Sequence, residues 1–122
     1  MLLEADTIRL RHMLEAAREA VGFAGSRTRS DLDDHMLSFA IVHAIEIIGE
    51  AASRVSPEGR AACPNLPWAS IIGMRNRLIH AYYDIDLDRI WETITDDLPP
   101  LIVELQAILS EKAPGDADTK RS

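Results

Sequence analysis

The stretch RNRLIHAYY, residues 75–83, packs two arginines, an asparagine, a histidine and two tyrosines into nine positions of an otherwise apolar segment. Histidine is the side chain whose unperturbed pKa lets it accept and release a proton near neutrality. An arginine guanidinium offers a planar fork of donors that matches phosphate oxygens. Together, His80 and Arg75 suit cleavage of RNA by its own 2′-hydroxyl: a base deprotonates that hydroxyl, and a cation stabilises the charge that grows on the phosphorane. Asn76 could orient the imidazole or a phosphate, and such a reaction needs no metal. The same residue types also have plain structural uses. Arginine can be a salt-bridged surface residue, histidine near a helix end a capping residue, and tyrosine a core residue with a wet hydroxyl.

The element that carries these side chains must bring them together. If residues 75–83 form one α-helix, each step advances about 100°, so Tyr82 returns to within about 20° of Arg75, whereas His80 stands about 140° away. Asn76 is the helical neighbour of His80 at i−4. Arginine's length, a loosening of the helix near His80, or a second copy of the segment must therefore close the gap between Arg75 and His80.

Elsewhere the chain predicts a small all-α bundle of four to five helices, up and down, as one domain over residues 1–113 with a disordered tail over 114–122. Its apolar share of 47% fills one core in 122 residues, and the 5% of aromatics leaves that task to aliphatic residues that suit helices. A first helix spans about Leu3 to Val21, with apolar residues at helical spacing. A second, from about Asp31 to Val55 with Ser30 as N-cap, is apolar over more of its circumference than one partner needs. It is either central in the bundle or buried against a second copy. Ser56-Pro57 reads as N-cap and first helical position of a short turn. A helix from about Pro67 to near Asp84 carries the cationic stretch. Asp86 can cap a last helix, with a kink or restart at Pro99-Pro100, where the proline ring clashes with the carbonyl of Thr95. No strand-like alternation is evident.

A net charge of −7 excludes a generic, charge-driven nucleic-acid binder. Its distribution is uneven: residues 61–83 carry +2 and residues 84–113 carry −6, so any anion site is local. The lone Cys63 makes no internal disulfide, which suits a reducing compartment, with cytoplasm the default. It reads as a small buried side chain rather than a nucleophile. The amino terminus has neither a signal-peptide pattern nor a membrane span, and no membrane partner is expected.

The stretch MRNRLIHAYYDIDLDRIW resembles the HepT-like toxins of the HEPN superfamily, whose signature is Arg, four residues, His, any residue, Tyr: here Arg75, His80 and Tyr82, with Asn76 in the polar position that often follows the arginine. The likeness extends to AIEIIGEAA, to LPWASIIG and to DLPPLI, and so over nearly all of residues 1–110. The resemblance implies a helical bundle that forms a homodimer, and the signature segments of two protomers would line one composite cleft. It implies a metal-independent endoribonuclease without cofactor, with His80 as acid/base and Arg75 on the phosphate of an RNA substrate. It also implies a nucleotidyltransferase antitoxin of the MntA type that adds AMP to Tyr82, placing bulk and negative charge where RNA must sit. The alternative is a non-catalytic helical module that docks a nucleotidyltransferase or binds a nucleotide in the same cleft. Assembly beyond a dimer is left open.

Other polar residues have alternative readings. Arg77 is an RNA or partner contact or plain surface, and Tyr83 is packing. His43, Glu46 and Glu50 share one face of the second helix. They form a hydrogen-bonded polar seam at the dimer cleft or simply face water, rather than a metal site, which would lack matching ligands on other helices. A further alternative has Glu46 or Glu50 approach the composite cleft and pair with Arg75. Trp68 and Trp91 read as core or interface anchors.

Overall fold

A computed structural model describes residues 2–81 and 84–112, with His80, Ala81, Glu111 and Lys112 as backbone alone. The tail expected from residue 114 lies outside the described residues, as do Tyr82 and Tyr83. The fold is the all-α bundle that the sequence predicts. Helix α1 (Glu4–Ala24) ends at Gly25, whose φ of 49° lies in the left-handed region that a side chain disfavours, and its amide caps the carbonyl of Val21. A 3-10 turn (Arg29–Asp33) leads into α2 (His35–Ser53). Short helices follow: α3 (Pro57–Ala62), α4 (Trp68–Ile72) and α5 (Met74–Leu78). The chain then forms a minimal antiparallel ladder of β1 (Ile79–Ala81) and β2 (Asp84–Ile85). It closes with α6 (Leu87–Glu92), a π-helical segment (Thr93–Asp97) and α7 (Leu98–Lys112).

The core lies between α1, α2 and α7, where Leu10, Ile41, Ile45, Ile48, Leu98 and Leu105 are fully enclosed. By length and composition alone α2 could cross a membrane. Here it is the central helix, packed on α1 along one side and on α4, α5 and α6 along the other. One stripe of α2 remains uncovered, and at its N-terminal end this stripe is apolar: Met36 and Phe39 are 84% and 56% exposed.

Two local readings hold. Ser56 caps α3, accepting from the amide of Gly59, with Pro57 at the first helical position. Asp86 caps α6, accepting from the amide of Arg89 at 3.1 Å. Three change. The cap of α2 is Asp34, not Ser30: its carboxylate accepts from the Met36 amide at 2.9 Å. Asp31 instead turns back onto the Thr28 amide at 2.7 Å and closes the 3-10 turn, which Arg29 ties to Asp88 at 2.7 Å. Near Pro99-Pro100 the helix is interrupted as expected, but ahead of the prolines: its α pattern stops at Glu92 and resumes at Leu98. Between them it widens, and the Leu98 amide reaches the carbonyl of Thr93, a five-residue step. This π turn lies immediately before the two prolines, whose missing amides cannot continue the α ladder.

The third change concerns the cationic helix, which does not run from Pro67 to Asp84. It breaks at Gly73 and ends at Leu78. In a continued α-helix the Leu78 carbonyl would accept the amide of residue 82. Instead it takes the amide of Asp86 at 2.7 Å, and Ile79 is extended at φ −122°, ψ 112°. The two strands that the sequence pattern did not announce are the consequence.

Candidate active site

Helix α5 is one turn long and is anchored from beneath. Met74 and Leu78, at i and i+4, are 3% and 0% exposed, so the residues between them are turned outward. Arg75 and Asn76 point to the side of α2, where they line an open cleft of about 570 Å³ together with His43, Glu46, Glu50 and Ser53. Ile47, Gly49 and Ile72 form its apolar wall. A Cβ on Gly49 would meet the Ile72 carbonyl at 3.4 Å, so glycine lets the end of α4 lie close against α2 at this wall.

The centre of the cleft is an ion pair. Arg75 Nε donates to Glu46 Oε2 at 2.5 Å, and the other carboxylate oxygen, Oε1, lies 3.8 Å from His43 Nδ1. Among the described residues no hydrogen bond reaches the terminal nitrogens of Arg75. The pair is half exposed, at 49% for Arg75 and 36% for Glu46, so solvent and any ligand have access to it. On the His43, Glu46 and Glu50 face, Glu46 is the residue that reaches Arg75, and all three side chains line the cleft. Among the described residues, no group of three or more side chains is arranged to hold a metal ion.

Arg77 goes the other way. Two positions after Arg75, it donates to the Ser70 carbonyl at 3.1 Å and borders a second cleft of about 500 Å³. The rim of that cleft holds Arg89, Glu92, Asp96 and Asp97. The two arginines of the RNR triplet thus serve opposite sides of the bundle. His80 lies on β1, beyond the helix end, so the helical angle between it and Arg75 no longer applies. Its side chain and all of Tyr82 fall outside the described residues.

Sequence reasoning named five of the residues that line the cleft and missed Ile47, Gly49, Ser53 and Ile72 as its walls. Ser53 continues the spacing of His43, Glu46 and Glu50 by one more step and could have been found that way. Ile72 could not, because it arrives from α4 through the tertiary fold. Trp68 anchors the approach: its Nε1 donates to the carbonyl of Cys63 at 3.1 Å, and Cys63 is buried.

The comparisons agree on one family. The family model described as "Ribonuclease HepT-like" matches residues 13–108. A protein of Methanocaldococcus jannaschii named "Putative RNase MJ1380" is 32% identical over 97 residues, covering 79% of this chain and 89% of the relative. A Thermococcus cleftensis protein named "Probable ribonuclease HepT" is 39% identical over 70 residues, covering 57% and 64%. A Caldanaerobacter subterraneus protein named "Putative RNase TTE0752" is 39% identical over 79 residues, covering 65% and 70%. No solved structure matches significantly. With the model spanning most of the bundle, including the cleft and both arginines, the chain belongs to the HepT-like ribonuclease family.

Proposed function

We propose that this protein is a metal-independent endoribonuclease that acts as a homodimer and serves as the toxin of a toxin-antitoxin pair. The observation that carries the reading is Arg75 beside Asn76 in an open cleft, its terminal nitrogens unengaged by any described residue. In the proposed reaction His80 removes the proton of a ribose 2′-hydroxyl, and O2′ attacks the adjacent phosphorus. The bond from phosphorus to O5′ then breaks, and a protonated group supplies the proton to O5′. The products are a 2′,3′-cyclic phosphate and a 5′-hydroxyl. Arg75 stabilises the charge on the non-bridging oxygens, and Asn76 orients the phosphate or the imidazole.

Two further observations support the reading. Met36 and Phe39 leave an apolar patch on the same stripe of α2 that runs into the cleft, which suits a self-complementary contact that joins two clefts. Within one protomer Arg75 shares its cleft with Glu46 and Glu50, so a single copy offers RNA no net positive field. A second copy across a dimer axis would bring a second Arg75 to the same phosphate, together with its own Glu46 and Glu50, so the gain is a second local donor fork and not a positive field. In this reading a nucleotidyltransferase antitoxin transfers AMP to Tyr82, and the added phosphate and nucleotide occupy the place of RNA.

The test is cleavage of RNA by protein free of partner and of AMP, in the presence of a chelator. Fragments with 5′-hydroxyl ends are expected, and His80→Ala and Arg75→Ala should each lower the rate by about a hundredfold or more. An inert wild type whose His80→Ala form changes only the binding of a nucleotidyltransferase would replace the nuclease with a docking module. The intact mass of protein co-expressed with such a partner should show AMP increments that map to Tyr82.

A further inference from the structure

We infer that Glu46 is the positioning residue for Arg75: its carboxylate fixes the guanidinium so that the paired terminal nitrogens face the scissile phosphate. The inference rests on the ribonuclease reading and adds a residue that the Arg-His-Tyr signature lacks. It starts from the way Arg75 is mounted. Its helix is five residues long, bounded by Gly73 and the extended Ile79, and its side chain is half exposed. A long arginine on so short a support samples many rotamers, and nothing in α5 itself restrains it.

Glu46 supplies the restraint from α2, 29 residues earlier in the chain. A guanidinium can meet an oxyanion through Nε with one terminal nitrogen, or through both terminal nitrogens end-on. Glu46 Oε2 takes the Nε hydrogen, which consumes the first mode. The end-on fork is what remains for two oxygens of one phosphate. His43 Nδ1, 3.8 Å from the other carboxylate oxygen, stands on the far side of Glu46 and can share its charge.

This arrangement has a cost that makes it testable. A carboxylate beside the cation weakens attraction for RNA, so Glu46 should favour turnover while opposing binding. Glu46→Ala is expected to lower kcat roughly a hundredfold, the scale of a misplaced catalytic group. It should leave KM unchanged or lowered, because a negative charge has left the site. Glu46→Gln keeps an oxygen acceptor for the Nε hydrogen without the charge, and should hold kcat within about fivefold of wild type, again with KM no higher. Glu46 is 36% exposed, so both variants should keep the thermal midpoint of the wild type. An active wild type paired with an equally fast Glu46→Ala, or a Glu46→Gln as slow as Glu46→Ala, overturns the positioning role and leaves the nuclease standing. A wild type that cuts no RNA overturns both.

Discussion

The amide of Asp86 donates to the carbonyl of Leu78 at 2.7 Å, and this one bond replaces the helical bond that Leu78 would otherwise accept from residue 82. It ends α5 and turns the segment that bears His80 into a short ladder. Asp86 also caps α6 with its side chain, so its two roles can be separated. Asp86→Ala removes the side-chain cap while keeping the backbone amide, and should cost at least about 1 kcal/mol in denaturant unfolding. Asp86→Pro, at a native φ of −84° that proline tolerates, also removes the amide. It should cost about 1 kcal/mol more and lower RNA cleavage more than the alanine variant does. Equal stability and activity of the two variants would show that the backbone bond does not hold the hairpin.

The buried carboxylate of Asp6 joins α1 to the start of α3. It accepts from the Ser56 amide at 2.9 Å and the Ser56 hydroxyl at 2.6 Å, and a Cβ on Gly59 would lie only 2.5 Å from its Oδ2. Asp6→Ala should destabilise the fold by about 2–3 kcal/mol, because the Ser56 donors lose a charged acceptor inside the protein. Gly59→Ala should cost about 1–3 kcal/mol through the clash. Combined, they should cost at least about 0.5 kcal/mol less than the sum, since the first removes what the second strikes. Strict additivity in urea titrations would contradict that shared contact.

Arg75 and Arg77, two positions apart, should behave differently. Arg77 donates to the Ser70 carbonyl and borders the other cleft. Arg77→Ala should leave RNA cleavage within about threefold of wild type while costing about 0.5–1.5 kcal/mol of stability. If its activity falls as far as that of Arg75→Ala, the second cleft belongs to the RNA path.

Phe39→Glu places a charge on the exposed apolar end of the α2 stripe. It should leave the fold intact, shift the protein to monomer in analytical ultracentrifugation, and reduce cleavage at low protein concentration. A monomeric variant with full activity would show that one protomer suffices.

Salt offers a further check. With one cleft arginine per protomer and two acids beside it, RNA binding should weaken only gently, with a logarithmic slope no steeper than about −1.5 for single strands. A much steeper slope, measured by titration with an uncleavable analogue, would reveal cationic contacts outside this cleft.

The chain is unevenly legible. Ser56-Pro57 and Asp86 announce their helix starts because a cap acts through bonds to residues two or three positions away, which the linear order already supplies. The His43, Glu46 and Glu50 face was visible for the same reason, since 3.6-residue periodicity is local. Asp34 displaces Ser30 as cap of α2 because several neighbouring residues could fill that role. The choice went to the arrangement that also buries Leu32 and ties Arg29 to Asp88, 59 residues away.

The sequence by itself determined the helical class, the family, and the set of side chains able to do the chemistry, because composition, periodicity and motif spacing are properties of the linear chain. Only the tertiary structure decided that Arg75 meets Glu46, that Arg77 turns to the opposite cleft, and that the cationic helix stops at Leu78. The reason is competition between local and distant partners. The Leu78 carbonyl could be satisfied four residues ahead or eight, and packing of α6 against α5 and α2, invisible to any local pattern, selected the eighth.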